Sequence, residues 1–320
     1  MTTHTIPAYS ELPVIEETGE HNAWTTFGKH DELGTMNFIG AAEVQAALGC
    51  ASEGRVVNLC LPLDLPSPAL SRGRESYVHH IERTRGGGDD RIDNFYLQCS
   101  SQWDAVCHIR YREFGFYGGR QDADLERGEL GIDRLARKGM VGRGVLVDFA
   151  AWRESVGNPV DATARVVIGP AEIEQVLAWS GVTPRKGDIL LFRTGWLRWY
   201  LELDSAGRDA MAGRLHNEAG GMDCPGLAPA TEMAAWLWDH RVAAVAADNP
   251  ALEALRVRKE EGFLHRRIMA LLGMPIGEFW YLEELSRACR ERGRWDFFLT
   301  SAPLNLPKGV GSPSNAYAIL

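Results

Sequence analysis

Five short runs rich in Val, Leu, Ile and Phe, at residues 55–61, 144–149, 188–193, 242–247 and 295–300, are each bounded by Gly, Pro, Asp or Asn. Such runs read as strands packed into a sheet. Between them lie stretches whose apolar side chains recur at helical spacing. Pro170 suits the first helical position ahead of AEIEQVLAWSG, and Pro229 stands in the same relation to ATEMAAWLWDH. Residues 131–138 and the stretch around His265 add two more helices. Interleaved strands and helices constrain the chain to an α/β fold with a mixed sheet flanked by helices. No linker and no repeat interrupts the order, so a single domain over 1–320, with an extended amino-terminal segment at about 1–40, is expected.

Composition removes several classes of function. The 320 residues are 45% hydrophobic, enough to bury a core. A formal charge of -9 argues against a nucleic-acid surface. The basic runs at 83–91 and 287–294 are broken by acids and glycines and read as solvated faces. No apolar stretch approaches the roughly 20 residues that span a bilayer. The start, MTTHTIPAYSELPVIEE, has neither a basic nor an apolar leader region, so a cytoplasmic location is expected. The six cysteines, Cys50, Cys60, Cys99, Cys107, Cys224 and Cys289, include no C-x-x-C pair and are expected to be buried free thiols. Two glycine-rich spots invite a nucleotide reading. The run GMVGRG at 139–144 precedes a strand rather than following one, and GGG at 86–88 lacks the Lys-Ser/Thr of a phosphate loop. Both are expected to be turns, the second with the alternative of a mobile flap beside a site.

The densest chemistry lies in LQCSSQWDAVCHI, where Gln98, Gln102, Asp104 and His108 fall within eleven residues. If residues 97–103 are extended, Gln98, Gln102 and Asp104 share one face and Trp103 points the other way into the core. His108 then follows on the same parity or on the first turn of a helix. Cys99 and Cys107 fall off that parity and are expected to pack rather than react. By periodicity alone the segment is equally an ordinary amphipathic strand.

This segment resembles the metal-binding signature H-x-G-T-H-x-D-x-P-x-H of the cyclase family of hydrolases, which includes bacterial kynurenine formamidase and isatin hydrolase. Asp104 and His108 match, while Gln98 and Gln102 stand where the family has histidines, Ser100 and Ser101 replace Gly-Thr, and Val106 replaces the proline. The glutamine-bearing form is similar to the branch containing trans-dienelactone hydrolase. The likeness continues through DELGTMNFI, KGMVGRGVLVDF, GDILLFRTGW, AVAADNPALE and SAPLNLPKGVGSPSNA, and it implies a swivelling β/β/α core. In FLHRRIMALLGMPIGEFWYLEEL it places His265 on a helix and Glu278 after the Met-Pro-Ile turn as further metal ligands. Glu283 and Glu284 are the alternatives, expected to be charged surface residues on a helix at 281–291.

The resemblance implies a divalent ion, Zn2+ or Mn2+, held by Asp104, His265 and Glu278 with Gln98 and Gln102 on it or beside it. Exchanging histidine for glutamine keeps the formal charge but trades a nitrogen donor for a weaker amide oxygen, so one ion per chain is expected. His108 is the candidate proton shuttle, because imidazole titrates near neutral pH. His80 or His79, Arg193, the loop 114–119 and Asp248 with Asn249 are further candidates for substrate contact or ligand support. His4, His21, His30, His216 and His240 are expected at the surface. The leading function is hydrolysis of a small cyclic or aromatic-derived substrate, a lactone first. An arylformamide such as N-formylkynurenine comes second, and a metal-free binding or scaffold protein is the reading from another class. A homo-oligomer, dimer or tetramer, is expected on the same resemblance, with a small molecule as the other partner.

Overall fold

The computed structural model describes residues 6–215 and 221–320. His4 and His216 lie outside them. Nine strands form one sheet: β1 (Val56–Asn58), β2 (Gln102–Asp104), β3 (Met140–Val147), β4 (Ile189–Phe192), β5 (Ala244–Ala247), β6 (Ile276–Glu278), β7 (Asp296–Ser301), β8 (Gly311–Pro313) and β9 (Ala316–Ile319). Their spatial order is β8-β2-β6-β5-β4-β3-β7-β9-β1. The middle four, β6, β5, β4 and β3, run parallel, and antiparallel strands extend the sheet on both sides. Strands in a parallel block are covered on both faces and so lack polar alternation. All four residues of ILLF in β4 and of AVAA in β5 are accordingly buried.

The five expected strands all appear, and the helices at Ile132–Lys138, Pro170–Ser180, Thr231–Asp239 and Glu283–Arg292 fall close to the expected stretches. The molecule is a mixed α/β domain whose helices cover the sheet. The GMVGRG run is not a turn. After Gly139 the chain enters β3, and Gly144 sits opposite Phe297 in β7. A Cβ at Gly144 would lie 2.2 Å from the Phe297 ring, so glycine is what lets that ring lie flat across the strand. Among the described residues no helix is long and apolar enough to cross a membrane.

The GGG stretch belongs to a hairpin, Val78–Thr84 paired with Gly87–Asp93 and closed by Arg85 and Gly86. Nearly every side chain on it is exposed. Of the six free cysteines, Cys60 and Cys99 are half-buried rather than buried. Burial pushes the Cys107 thiol up to about 12, which keeps it protonated and unreactive near neutral pH. His21 and His240 are half-buried and bond to the carbonyls of Leu12 and Trp236.

Candidate metal centre and its cavity

Strand pairing brings the first three polar groups together. In the β2/β6 ladder, Gln102 sits opposite Glu278, and Asp104 opposite Ile276. Directly paired residues share a face, so Gln102, Asp104 and Glu278 project together. Trp103 and Gly277 form the pair between them and project to the other side. There Trp103 is fully buried, donates Nε1–H to Ser301 Oγ at 2.8 Å and meets Trp280 edge to face at 4.9 Å. The expected core role of Trp103 is what the structure shows.

His265 arrives from outside the sheet, immediately before a short π-helical turn, Arg266–Leu271. Such turns interrupt regular helices and are frequent near functional sites. The Phe263 ring stacks on the imidazole at 5.1 Å. Asp104, His265 and Glu278 are all buried, and each offers a ligand atom within 4.8 Å of the others. His265 Nε2 faces Glu278 Oε1 at 3.2 Å. Gln102 Nε2 donates to Glu278 Oε2 at 2.5 Å, which leaves Gln102 Oε1 without a partner. Both carboxylate oxygens of Asp104 are also buried without a hydrogen-bond donor.

A residue the sequence reading missed completes the cluster. Glu253, fully buried, holds His265 Nδ1 at 2.6 Å. Its backbone passes so close to Gly226 that a Cβ there would lie 2.3 Å from the Glu253 carbonyl carbon. The cluster is thus three carboxylates around one imidazole. Burial opposes protonation of His265, yet Glu253 and Glu278 on its two nitrogens outweigh burial and hold its pKa well above the ordinary value. Burial, with Glu278 adding to it and His108 and His265 opposing, lifts Asp104 to about 6. Orphaned acceptors in an excess of buried negative charge suit a cation, because unpaired buried carboxylates cost several kcal/mol. Two carboxylates, an imidazole and an amide oxygen make a donor set that fits a divalent ion such as zinc or manganese.

Gln102, His265 and Glu278 of the cluster line a cavity of about 710 Å³, together with His108, Tyr111, Leu255 and Phe263, among others. His108 lies neither on the strand nor on a helix. It closes the tight turn that follows β2, with its amide bonded to Ala105 O, and its Nδ1 is 3.6 Å from Asp104 Oδ1.

Other expected positions fall elsewhere. Residues 97–101 form turns and bends rather than a strand, so Gln98 does not share the Gln102 face by alternation. It is half-buried, its carbonyl accepts from Arg74, and its amide lies against Gly311. His79 and His80 are on the hairpin, paired with Asp90 at 2.8 Å and Asp93 at 3.0 Å, away from the lining of the large cavity.

Arg193 is not pocket lining. It is wholly buried and bonds Glu283 through Nε and Nη2 at 2.7 and 2.8 Å, and Asp148 through Nη1 at 2.7 Å. Glu283 is therefore part of an internal ion pair, not a free surface charge. Asp248 accepts from Thr194 N, Thr194 Oγ1 and Gly195 N, tying down the loop after β4, while Asn249 donates to the carbonyls of Pro225 and Leu252. The loop 114–119 packs beside Tyr111 and Asp31, and the lining on that side comes from Ile109, Tyr111 and Arg112.

Comparison with known proteins identifies relatives of this fold. A family model described as "Putative cyclase" matches residues 10–254, which takes in Gln98, Gln102, Asp104, His108 and Glu253 and stops short of His265 and Glu278. A crystal structure described as that of a novel cyclase is 31% identical, with 93% of this chain and 99% of that chain covered and a TM-score of 0.80. Isatin hydrolase A from Labrenzia aggregata, bound to benzyl benzoate, is 17% identical over 87% of this chain and 98% of its own, with a TM-score of 0.60. Isatin hydrolase A from Ralstonia solanacearum is 16% identical over 88% and 97%, with a TM-score of 0.58. At those identities the two hydrolases share the fold. No curated protein matches the chain. The family model over most of the chain and the first of these structures over nearly all of it place this protein in the cyclase family.

Proposed function

We propose that this protein is a metal-dependent hydrolase that opens a carbonyl bond in a small cyclic or aromatic-derived substrate, a lactone first. The observation that carries this reading is the convergence of Asp104, His265 and Glu278, with unpartnered acceptor oxygens, beside a ligand-sized cavity. Those three residues would hold one Zn2+ or Mn2+, with Gln102 Oε1 turned to the same centre. A divalent ion supplies Lewis acidity there, lowering the pKa of water from 15.7 towards about 7.

The chain's own groups do the rest. Glu253 fixes the orientation of His265, since a carboxylate on the far nitrogen of a ligating imidazole sets its tautomer and rotation. His108, beside Asp104 and facing the cavity, takes a proton from the attacking water and returns it to the leaving group. The water oxygen bonds to the carbonyl carbon, the acyl–oxygen bond of the ring breaks, and a hydroxy acid leaves. The apolar wall, with Tyr111, Leu255 and Phe263, receives the body of the substrate. The glutamine-bearing motif supports the lactone within this class, in the branch similar to trans-dienelactone hydrolase. An arylformamide is the second substrate, because the same groups serve amide cleavage and two structural neighbours are named isatin hydrolases.

The test is turnover of dienelactone and of N-formylkynurenine by one preparation, before and after removal and return of zinc or manganese. Metal-dependent lactone opening in excess of formamide cleavage is expected, and the reverse preference selects the amidohydrolase. If neither is cleaved and no metal is retained on dialysis, the scaffold reading replaces both. The protein is further proposed to act in the cytoplasm as a homo-oligomer, with Ile81 and Ile92, exposed on one face of the hairpin, available for assembly.

A further inference from the structure

The two nitrogens of His265 are each held by a carboxylate, Glu253 at 2.6 Å and Glu278 at 3.2 Å. The way the imidazole faces the centre therefore depends on where those two carboxylates are fixed. They come from separate segments, the loop after β5 and the last residue of β6. Each adjoins a bulky buried residue in the left-handed region of backbone space: Leu252, φ +57°, precedes Glu253, and Phe279, φ +56°, follows Glu278. A residue with a Cβ is disfavoured there, and such a conformation persists only where its surroundings hold it.

One residue bonds to both. Asn249, fully buried, donates from Nδ2 to Leu252 O at 3.2 Å and to Pro225 O at 2.7 Å, and its own carbonyl accepts the Phe279 N–H at 3.1 Å. Pro225 precedes Gly226, against which the Glu253 backbone packs. Both partners of Nδ2 are carbonyl oxygens, so the position calls for two donors on one side-chain atom, which an amide supplies. Asn249 Oδ1 accepts from no donor. A side chain that merely closed the turn after β5 would bond within that turn, whereas this one reaches Pro225, 24 positions earlier.

We propose that Asn249 is a positioning residue of the centre. By holding Leu252 and Phe279 in place, it makes Glu253 and Glu278 meet the two nitrogens of His265 together and so fixes the rotation of the ring. What His265 then ligates rests on the hydrolase reading; the arrangement itself belongs to the protein without an ion. When Nδ2 is removed, Pro225 O loses its donor and Leu252 O keeps only the bond from Leu227 N. Leu252 can then leave the left-handed region and carry Glu253 off Nδ1.

Asn249→Ala and Asn249→Ser, the second keeping one donor on a shorter arm, test this beside Val176→Ala, a core truncation on the helix Pro170–Ser180. Two quantities are read on the full-length protein. The first is zinc affinity, by dye competition, scaled to the folded fraction. The second, in the metal-free protein, is the NMR signal of His265 Nδ1–H, identified by its absence in His265→Ala. Asn249→Ala should bind zinc about 10–100-fold more weakly, as loss of support behind a ligand does, and should displace the Nδ1–H signal. Asn249→Ser should fall between it and the parent, and Val176→Ala should lose stability while leaving both readings as they were. An unmoved signal overturns the proposal, and so does an unchanged zinc affinity or an equal change of both readings in Val176→Ala; the metal centre survives each of these as long as the parent retains zinc. A displaced signal in a protein whose parent takes up no zinc keeps the positioning role and removes the hydrolase. Failure of both Asn249 variants to fold overturns the proposal too, since a residue required by the whole fold sets nothing particular at His265.

Discussion

Two buried clusters of charge sit on the same sheet and are finished in opposite ways. Around Arg193, every charge has an internal answer: Asp148 accepts from Arg193, Ala151 N and Ser286, and Glu283 closes the other side of the guanidinium in a bidentate pair. Around His265, three carboxylates share one imidazole, and the oxygens of Asp104 have no donor. The first cluster brings its own cation and needs nothing further. In the second, carboxylates outnumber the one imidazole that answers them. Buried charge alone therefore does not mark a site; an unbalanced remainder does.

Substitution should separate the two most sharply at the His265 cluster. Asp104→Ala and His265→Ala are each expected to retain less than about a tenth of an equivalent of metal after dialysis and to lose turnover. His108→Ala should keep the metal and lose about 10²–10⁴ in kcat, as removal of a general acid–base does. Metal analysis beside steady-state kinetics checks both. Normal turnover by His108→Ala removes the proposed shuttle, and a full equivalent of metal in Asp104→Ala removes the centre.

Arg193→Met should do the reverse. Removing the cation leaves Asp148 and Glu283 facing each other, one wholly buried, at a cost of about 3–5 kcal/mol in stability. The folded fraction should still take up metal. Denaturant unfolding and metal content on the same sample read the two effects apart. If stability holds and metal is lost, the clusters are not independent.

Glu253→Gln tests the support of the centre with a smaller effect. The amide can still meet His265 Nδ1 but no longer offers a charge, and metal affinity should fall about 10–100-fold. Competition with a chelating dye measures this without any substrate. Unchanged affinity would make Glu253 a packing residue.

The same contrast explains what could be read from the sequence. The parallel block was legible because its strands are continuous apolar runs, as in Ile189–Phe192 and Ala244–Ala247, and such runs follow from burial on both faces. Asp104, His265 and Glu278 were legible only through the resemblance, since β2 and β6 are three residues each and too short for a period to register. Gln98 went astray because a strand was assumed across residues that turn. Arg193 looked like a site residue because an acid substrate needs a cation, and Asp248 because it ends a strand. Their partners Asp148, Glu283 and Thr194 come from other elements, and no local pattern announces such a network. Glu253 gave no signal beyond being an acid in an apolar stretch, and its role depends on Gly226, 27 positions earlier, allowing its backbone in close.

The smallest expected effect concerns pH and falls on the neighbour of the satisfied cluster. Burial lifts the Asp248 carboxyl to about 6, against the hydrogen bonds from Thr194 that pull it down. A carboxyl raised on folding binds its proton more tightly in the folded chain, so its contribution to stability is full below about pH 4 and is lost as pH climbs through about 6. Asp248→Asn does not titrate, and its amide turns a donor towards Gly195 N–H, which lowers stability by an amount independent of pH. The stability gap between parent and variant should therefore narrow between about pH 4 and pH 7 and stay level above that. Titrations at the metal cluster cancel in this difference. Urea midpoints of the two proteins across the range decide the matter: a gap that widens with pH would mean that the three donors, rather than burial, govern this carboxylate.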